Sequence, residues 1–185
     1  MRVIAGRFKG RVLKSFEASH IRPTTDRVKE TLFNILMGHI EGARVLDLFA
    51  GTGNLSIEAL SRGAEVVECV EKHPTSIKII FENLKMIKIE SEIKVHREDA
   101  FLFLKRFKGK AFDVIFIDPP FTEQLADSIM TEIERTEVFH PETIIAIESA
   151  KKEKLLGEYG RLTAIDTRLF GDKVLTLFKQ QSKVL

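Results

Sequence analysis

The sequence predicts an α/β fold: a doubly wound, mostly parallel sheet of seven strands, with a small N-terminal extension of a β-hairpin and a helix. Two patterns support this prediction. From residue 44 onward, short continuous apolar segments alternate with segments of helical periodicity, which is typical of a parallel sheet covered by helices on both faces. Near the C-terminus, two strand-like segments flank Gly171 and Asp172 and predict a hairpin, which adds antiparallel strands at one edge.

The first 43 residues are expected to form an arm and a helix, ahead of the main body at 44–185, all within one compact structural domain. Segments 3–6 and 11–13 are strand-like on either side of a Lys-Gly turn and predict a hairpin. Residues 22–26 connect this hairpin to a helix in which apolar residues recur at helical spacing.

The main body alternates strands with helices. Strands of the parallel part are predicted at 45–49, 66–70, 93–95, 114–117 and 143–147, and the closing hairpin at 162–170 and 173–178. The intervening helices are predicted at 55–60, 74–86, 101–107 and 126–133. Sheets of this kind bind ligands at the carboxyl ends of their strands. Acidic residues lie at or just past such ends, which places a candidate site there: Asp47, Glu71, Asp99 and Asp118.

Composition narrows the class of protein. No apolar run approaches the roughly 20 residues needed to span a bilayer, and the N-terminus has no signal-peptide core. Cys69 is the single cysteine, so an intrachain disulfide is impossible. The five histidines lack the spacing of metal ligands. We therefore expect a cytoplasmic monomer with no metal and no membrane contact.

Positive charge is concentrated at the N-terminus. The net charge is only +2, yet residues 1–29 contain eight basic residues and two acids. Such a segment is typical of a surface that binds a phosphate backbone, and a solvated face is the alternative. The predicted nucleic-acid contacts are Arg7, Lys9, Arg11, Arg22, Thr24, Thr25 and Arg27.

Residues 47–53 (Asp-Leu-Phe-Ala-Gly-Thr-Gly) predict a strand that enters a tight glycine turn, where a nucleotide-like cofactor can approach the backbone. A dinucleotide motif would need a third glycine where Ser56 stands, and the Gly-Lys-Ser/Thr of a P-loop is also absent. Glu71 lies where a carboxylate can accept both ribose hydroxyls, and Asp99 could accept an adenine amino hydrogen. Asp47 as a turn anchor, and Glu71 and Asp99 as helix N-caps, are the alternatives.

Residues 118–121 (Asp-Pro-Pro-Phe) give the more specific signal. Because proline lacks a backbone donor, the Asp118 carbonyl stays available, and with the carboxylate it can accept both hydrogens of one base NH₂ group. Phe121 offers a flat surface on which a base can stack, worth roughly 1–3 kcal/mol. Together with the glycine turn, the segment predicts methyl transfer from S-adenosylmethionine to a base nitrogen. A rigid turn with a core phenylalanine is the alternative.

Both motifs resemble those of the class I S-adenosylmethionine-dependent N-methyltransferases, which have a Rossmann-like fold. The segments 22–34 (Arg-Pro-Thr-Thr-Asp-Arg-Val-Lys-Glu-Thr-Leu-Phe-Asn) and 2–13 resemble the bacterial family that methylates guanine N2 of one nucleotide in 16S rRNA. The resemblance implies catalysis by Asp118, Pro119, Pro120 and Phe121. It implies S-adenosyl-L-methionine binding by Asp47, Phe49, Ala50, Gly51, Gly53, Glu71, Lys72, Asp99 and Ala100.

The resemblance also implies an RNA substrate within an assembled 30S subunit or its precursor, bound by residues 1–43, with the cofactor and catalysis in residues 44–185. Three other functions remain open. A DNA adenine or cytosine amino-methylase shares residues 118–121 but usually carries a separate base-recognition domain. An NAD-dependent or nucleotide-binding protein is disfavoured by Ser56, and the third alternative is a non-catalytic ribosome-binding module.

Overall fold

The computed structural model describes residues 1–16 and 26–181. In chain order its elements are α1 (Asp26–Ile35), β1 (Arg44–Asp47), α2 (Asn54–Ser61), β2 (Val66–Val70), α3 (Pro74–Ile87), β3 (Ile93–His96), α4 (Ala100–Arg106), β4 (Phe112–Ile117), α5 (Ala126–Glu134), β5 (Phe139–Ala150), β6 (Glu158–Tyr159), β7 (Leu162–Phe170) and β8 (Lys173–Gln180). Among the helices of these residues, none combines the length and the apolar character needed to cross a bilayer.

The strands form one mixed sheet in the order β3-β2-β1-β4-β5-β8-β7-β6. Strands β1 to β5 pair in parallel, whereas β8, β7 and β6 pair antiparallel. The predicted doubly wound α/β class and the C-terminal hairpin are therefore confirmed. The described residues contain eight strands rather than seven, because the two-residue β6 pairs with β7 and is too short to show periodicity in the sequence.

Two apolar layers cover the two faces of the sheet. Side chains of α1, α2 and α3, including Leu32 and Ile80, pack on one face. Side chains of α4 and α5, including Phe103 and Ile129, pack on the other. Burial on both faces explains why the central strands are continuously apolar in the sequence. It also leaves the carboxyl ends of β1, β2 and β4 as the natural place for a site.

The predicted N-terminal hairpin is confirmed in a short form. Arg2 and Val12 form an antiparallel bridge, Val3 N donates to Arg11 O at 2.9 Å, and Leu13 N donates to Met1 O at 3.0 Å. Beyond Val3, the next two backbone N–H groups donate to a carboxylate of α2. Ile4 N and Ala5 N donate to the two oxygens of Glu58 at 2.8 and 3.0 Å. The hairpin is therefore short, and its first arm is joined to α2.

A buried ion pair joins this segment to the helices. Lys29 and Glu58 are each 0% exposed, and Lys29 Nζ lies 3.1 Å from Glu58 Oε2. The same ammonium donates to Arg2 O at 2.6 Å and to Asn54 Oδ1 at 2.8 Å. Burial lowers the pKa of Lys29, and the charge of Glu58 opposes that effect. The network fixes the start of α2, which borders the site.

Candidate active site

A cavity of about 610 Å³ opens at the carboxyl ends of β1, β2 and β4, within the usual size range for small-ligand sites. All four residues of the predicted catalytic segment line it: Asp118, Pro119, Pro120 and Phe121. So do seven of the predicted cofactor-binding residues: Asp47, Phe49, Ala50, Gly51, Glu71, Lys72 and Ala100. The two motifs, distant in sequence, therefore meet in one space.

The glycine turn between β1 and α2 forms one wall of the cavity. Gly51 and Gly53 have φ angles of 56° and 77°, a region that side chains with a Cβ rarely occupy. The turn is closed by Gly53 N donating to Ala50 O at 2.8 Å, and Ala50 N reaches Val70 O of β2 at 3.1 Å. Gly53 itself faces Ile80 and does not line the cavity. The backbone at Gly51 is thus fixed in a turn that a ligand can approach closely.

Glu71 connects two loops at the cavity edge. Its Oε2 accepts from Gly51 N at 2.9 Å and its Oε1 from His73 N at 2.8 Å, and the residue is 7% exposed. The residue that precedes α3 is His73, so Glu71 is not the N-cap considered as an alternative. A carboxylate has about four acceptor sites, so both oxygens keep capacity for hydroxyl groups.

Asp47 ends β1 beneath the turn and is 1% exposed. Its Oδ2 accepts from Ser56 Oγ at 2.6 Å, and its Oδ1 has no hydrogen-bond partner among residues 1–16 and 26–181. Burial raises the pKa of Asp47 to about 7, against the lowering effect of the Ser56 hydrogen bond, and the nearby charge of Asp118 adds to the rise. A buried carboxylate with an unused oxygen would be stabilised by a cationic ligand.

Asp99 is the N-cap of α4, which was the alternative to an adenine contact in the sequence analysis. Its side chain accepts from Phe101 N at 2.9 Å at the start of α4. Lys72 Nζ lies 3.5 Å from Asp99 Oδ2 and 3.7 Å from Glu123 Oε2. Asp99 does not line the cavity, although its neighbours Glu98 and Ala100 do. Its contact with adenine stays a prediction.

The catalytic segment follows β4 directly. Asp118 is partly buried and contributes to the electrostatic field at Asp47. Phe121 is also partly buried, and Lys173 Nζ lies 4.6 Å from the centroid of its ring. The segment therefore presents a carboxylate, two rigid prolines and an aromatic ring to the same cavity as the glycine turn.

The predicted nucleic-acid residues are only partly described. Lys9, Arg11 and Arg27 are exposed. Arg7 is also exposed, but its guanidinium lies 2.5 Å from Glu92 Oε2 and 4.3 Å from the Phe8 ring. Three further predicted contacts fall outside the described residues: Arg22, Thr24 and Thr25.

Sequence reasoning missed several residues of the cavity wall, including Met1, Phe16, Asn54, His73, Ser76 and Glu98. Ser76 and Glu98 lie within a few positions of predicted residues, so a wider window around each strand end would have included them. Met1 and Phe16 come from the N-terminal segment, and no local pattern reveals that it reaches this edge. Among the described residues, no group of three potential ligands is placed to hold a metal ion.

A family model, curated relatives and solved structures each match most of the chain. A family model described as Conserved hypothetical protein 95 matches residues 1–179. YlbH of Bacillus subtilis is 37% identical over 185 residues, covering 98% of this chain and 100% of the relative. The ribosomal RNA small subunit methyltransferase D of Haemophilus influenzae is 39% identical over 158 residues, covering 84% and 82%. The solved structure of yhhF from Escherichia coli is 32% identical, with a TM-score of 0.86 and 99% of each chain covered.

Proposed function

This chain belongs to the Conserved hypothetical protein 95 family, and we propose that it transfers a methyl group from S-adenosylmethionine to the exocyclic N2 of one guanine in 16S rRNA. One observation carries the proposal: a single cavity is lined both by the glycine turn with its two acids, Asp47 and Glu71, and by residues 118–121. The names of relatives such as the Haemophilus influenzae enzyme support rRNA as the substrate class.

The residues on the donor side fit S-adenosylmethionine. Asp47 places a buried carboxylate, one oxygen of which lacks a partner among the described residues, where a positive charge would be stabilised. Glu71 offers acceptors to a ribose, and the turn at Gly51 allows close approach of the methionyl part. When bound, the cofactor supplies an electrophilic methyl group on a sulfonium. The chain's contribution here is to hold and orient it.

Residues 118–121 act on the acceptor. A guanine amine is conjugated with its ring and is a poor nucleophile. The Asp118 carboxylate and its backbone carbonyl accept both amine hydrogens and turn the lone pair toward the donor. Phe121 supports the base by stacking, worth roughly 1–3 kcal/mol. Orientation of this kind can lower a barrier by ~7–11 kcal/mol, and no strong general base is needed because the product loses a proton easily.

The basic N-terminal segment grips the RNA next to the target. A guanine in structured RNA must leave its stack before its amine reaches the donor, and cations on the flanking backbone hold it there. Lys9 and Arg11 are exposed to do so, while Arg7 must exchange Glu92 for a phosphate. We place the substrate in the assembled 30S subunit or a precursor, and the enzyme acts there as a cytoplasmic monomer.

Incubation with labelled donor tests this function against its main alternative, a DNA amino-methylase. Undermethylated 30S particles should accept label and DNA should not, whereas labelling of DNA alone would reverse the assignment. Calorimetry should detect S-adenosylmethionine binding; tight NAD binding in its place would indicate a nucleotide-binding protein.

Replacing Arg11 with Gln should weaken RNA binding and reduce its salt dependence, while affinity for the donor stays unchanged.

A further inference from the structure

A largely buried cation lies over the ring of Phe121. Lys173 Nζ is 4.6 Å from the ring centroid and 2.8 Å from Glu148 Oε2, and the two charged side chains are 12% and 3% exposed. Phe121 lines the cavity, whereas Lys173 and Glu148 do not. The ammonium therefore lies over a ring that lines the cavity, without being part of the cavity wall itself.

The sheet brings these residues together. Ile117 of β4 pairs with Ile147 of β5, so Asp118 and Glu148 follow neighbouring positions at the catalytic edge. Lys173 opens the antiparallel strand β8 and pairs with the last residue of β5. The strand pairing thus places the backbones of Glu148 and Lys173 close to the end of β4, from which the chain continues to Phe121.

Stability alone does not explain such a pair. Removing two charges from water costs several kcal/mol per ion, and apolar residues of similar volume often stabilise a fold as well or better. A buried ammonium over an aromatic face gains a cation–π attraction that is largest when the cation is desolvated. The observations therefore favour a role for Lys173 that is exerted through the ring.

We propose that Lys173, held by Glu148, is a positioning residue for methyl transfer: it fixes the plane of Phe121 and leaves the opposite face of the ring for the purine. This inference rests on the proposed function, because it assigns the free face of the ring to the substrate base. Lys173 itself contacts neither the base nor the donor.

A double-mutant cycle tests the proposal. Lys173→Met should reduce kcat/KM for undermethylated 30S particles about 3- to 30-fold, the factor that corresponds to a cation–π contact, and Lys173→Arg should restore most of the activity. In a Phe121→Leu background, Lys173→Met should have less than about a twofold effect. The matched control is Lys179→Met, which removes a lysine of the same strand that pairs with Glu142 at 2.7 Å.

A second variant tests whether the loss of activity comes only from a loss of stability. Lys173→Met combined with Glu148→Gln removes both charges, so no unpaired buried ion remains. This pair should unfold at close to the wild-type temperature and still show the activity loss. An additive effect of Lys173→Met in the Phe121→Leu background, or an equal loss in Lys179→Met, would overturn the positioning role.

A spectroscopic readout is independent of the RNA. The sequence contains no tryptophan, so Phe121→Trp introduces a single tryptophan at the ring position, which can be excited selectively over Tyr159. Adding Lys173→Met should shift its emission, and adding Lys179→Met should not; no shift in either case would refute the contact.

If wild-type protein fails to methylate 30S particles while the shift is seen, the proposed function fails and the contact stands. If methylation succeeds and the cycle is additive, only the positioning role fails.

Discussion

Ionisation of Asp47 should make the stability of the protein fall as the pH rises. Burial raises the pKa of Asp47 from its ordinary value of 3.8 to about 7. At 1.36 kcal/mol per pKa unit, ionising this carboxyl in the folded protein costs roughly 4 kcal/mol. Because the unfolded chain loses this proton near pH 4 and the folded chain keeps it to about pH 7, the cost appears between those values. Between pH 5 and pH 8 it amounts to about 2.5 kcal/mol.

Asp47→Asn isolates this contribution from other titrating groups. Urea denaturation of wild type and variant at pH 5, 6, 7 and 8 gives the difference in the free energy of unfolding. That difference should move in favour of the variant by about 2.5 kcal/mol over this range. The control is Asp166→Asn, which removes a carboxylate paired with Arg168 on β7 and should give a constant difference. A constant difference for Asp47→Asn as well would refute the reasoning.

Three further predictions follow from the contacts. Glu58→Gln leaves the buried Lys29 ammonium without its counter-ion and should cost about 3–5 kcal/mol in urea denaturation, against at most about 1 kcal/mol for removal of an exposed ion pair. Gly6→Ala places a Cβ 1.8 Å from Ser61 O at a φ of +80°; this clash should lower the thermal midpoint far more than an alanine at the unobstructed Gly10. Asp118→Ala should reduce turnover at least ~10²-fold, as for loss of a positioned polar group, while RNA affinity in a filter-binding assay remains largely unchanged.

Much of the fold was predictable because each strand carries its own signal. The strand at Val66–Val70 and the hairpin strand at Leu162–Phe170 match the predicted bounds. Parallel strands buried on both faces must be continuously apolar, so local composition is sufficient to find them. The two-residue strand at Glu158–Tyr159 carries no such pattern and depends entirely on its partner.

The candidate site was predictable where chemistry is encoded locally. The glycine turn and residues 118–121 are contiguous motifs, and the carboxyl-edge rule brings them together. Ser56 was not predicted as part of the site. In the sequence it served only to exclude a dinucleotide motif, yet its hydroxyl donates to Asp47. The Lys29–Glu58 pair and the contact of Lys173 with Phe121 join residues distant in sequence. Long-range contacts of this kind leave no periodic trace.

The most direct test of the central claim is mass mapping of modified nucleotides in 16S rRNA from a strain that lacks this protein, before and after the isolated 30S particles are incubated with the purified protein and S-adenosylmethionine. The account predicts one guanine that lacks its N2-methyl group in the deletion strain and regains it with wild-type protein but not with Asp118→Ala. An rRNA methylation pattern identical to that of the parent strain would contradict it.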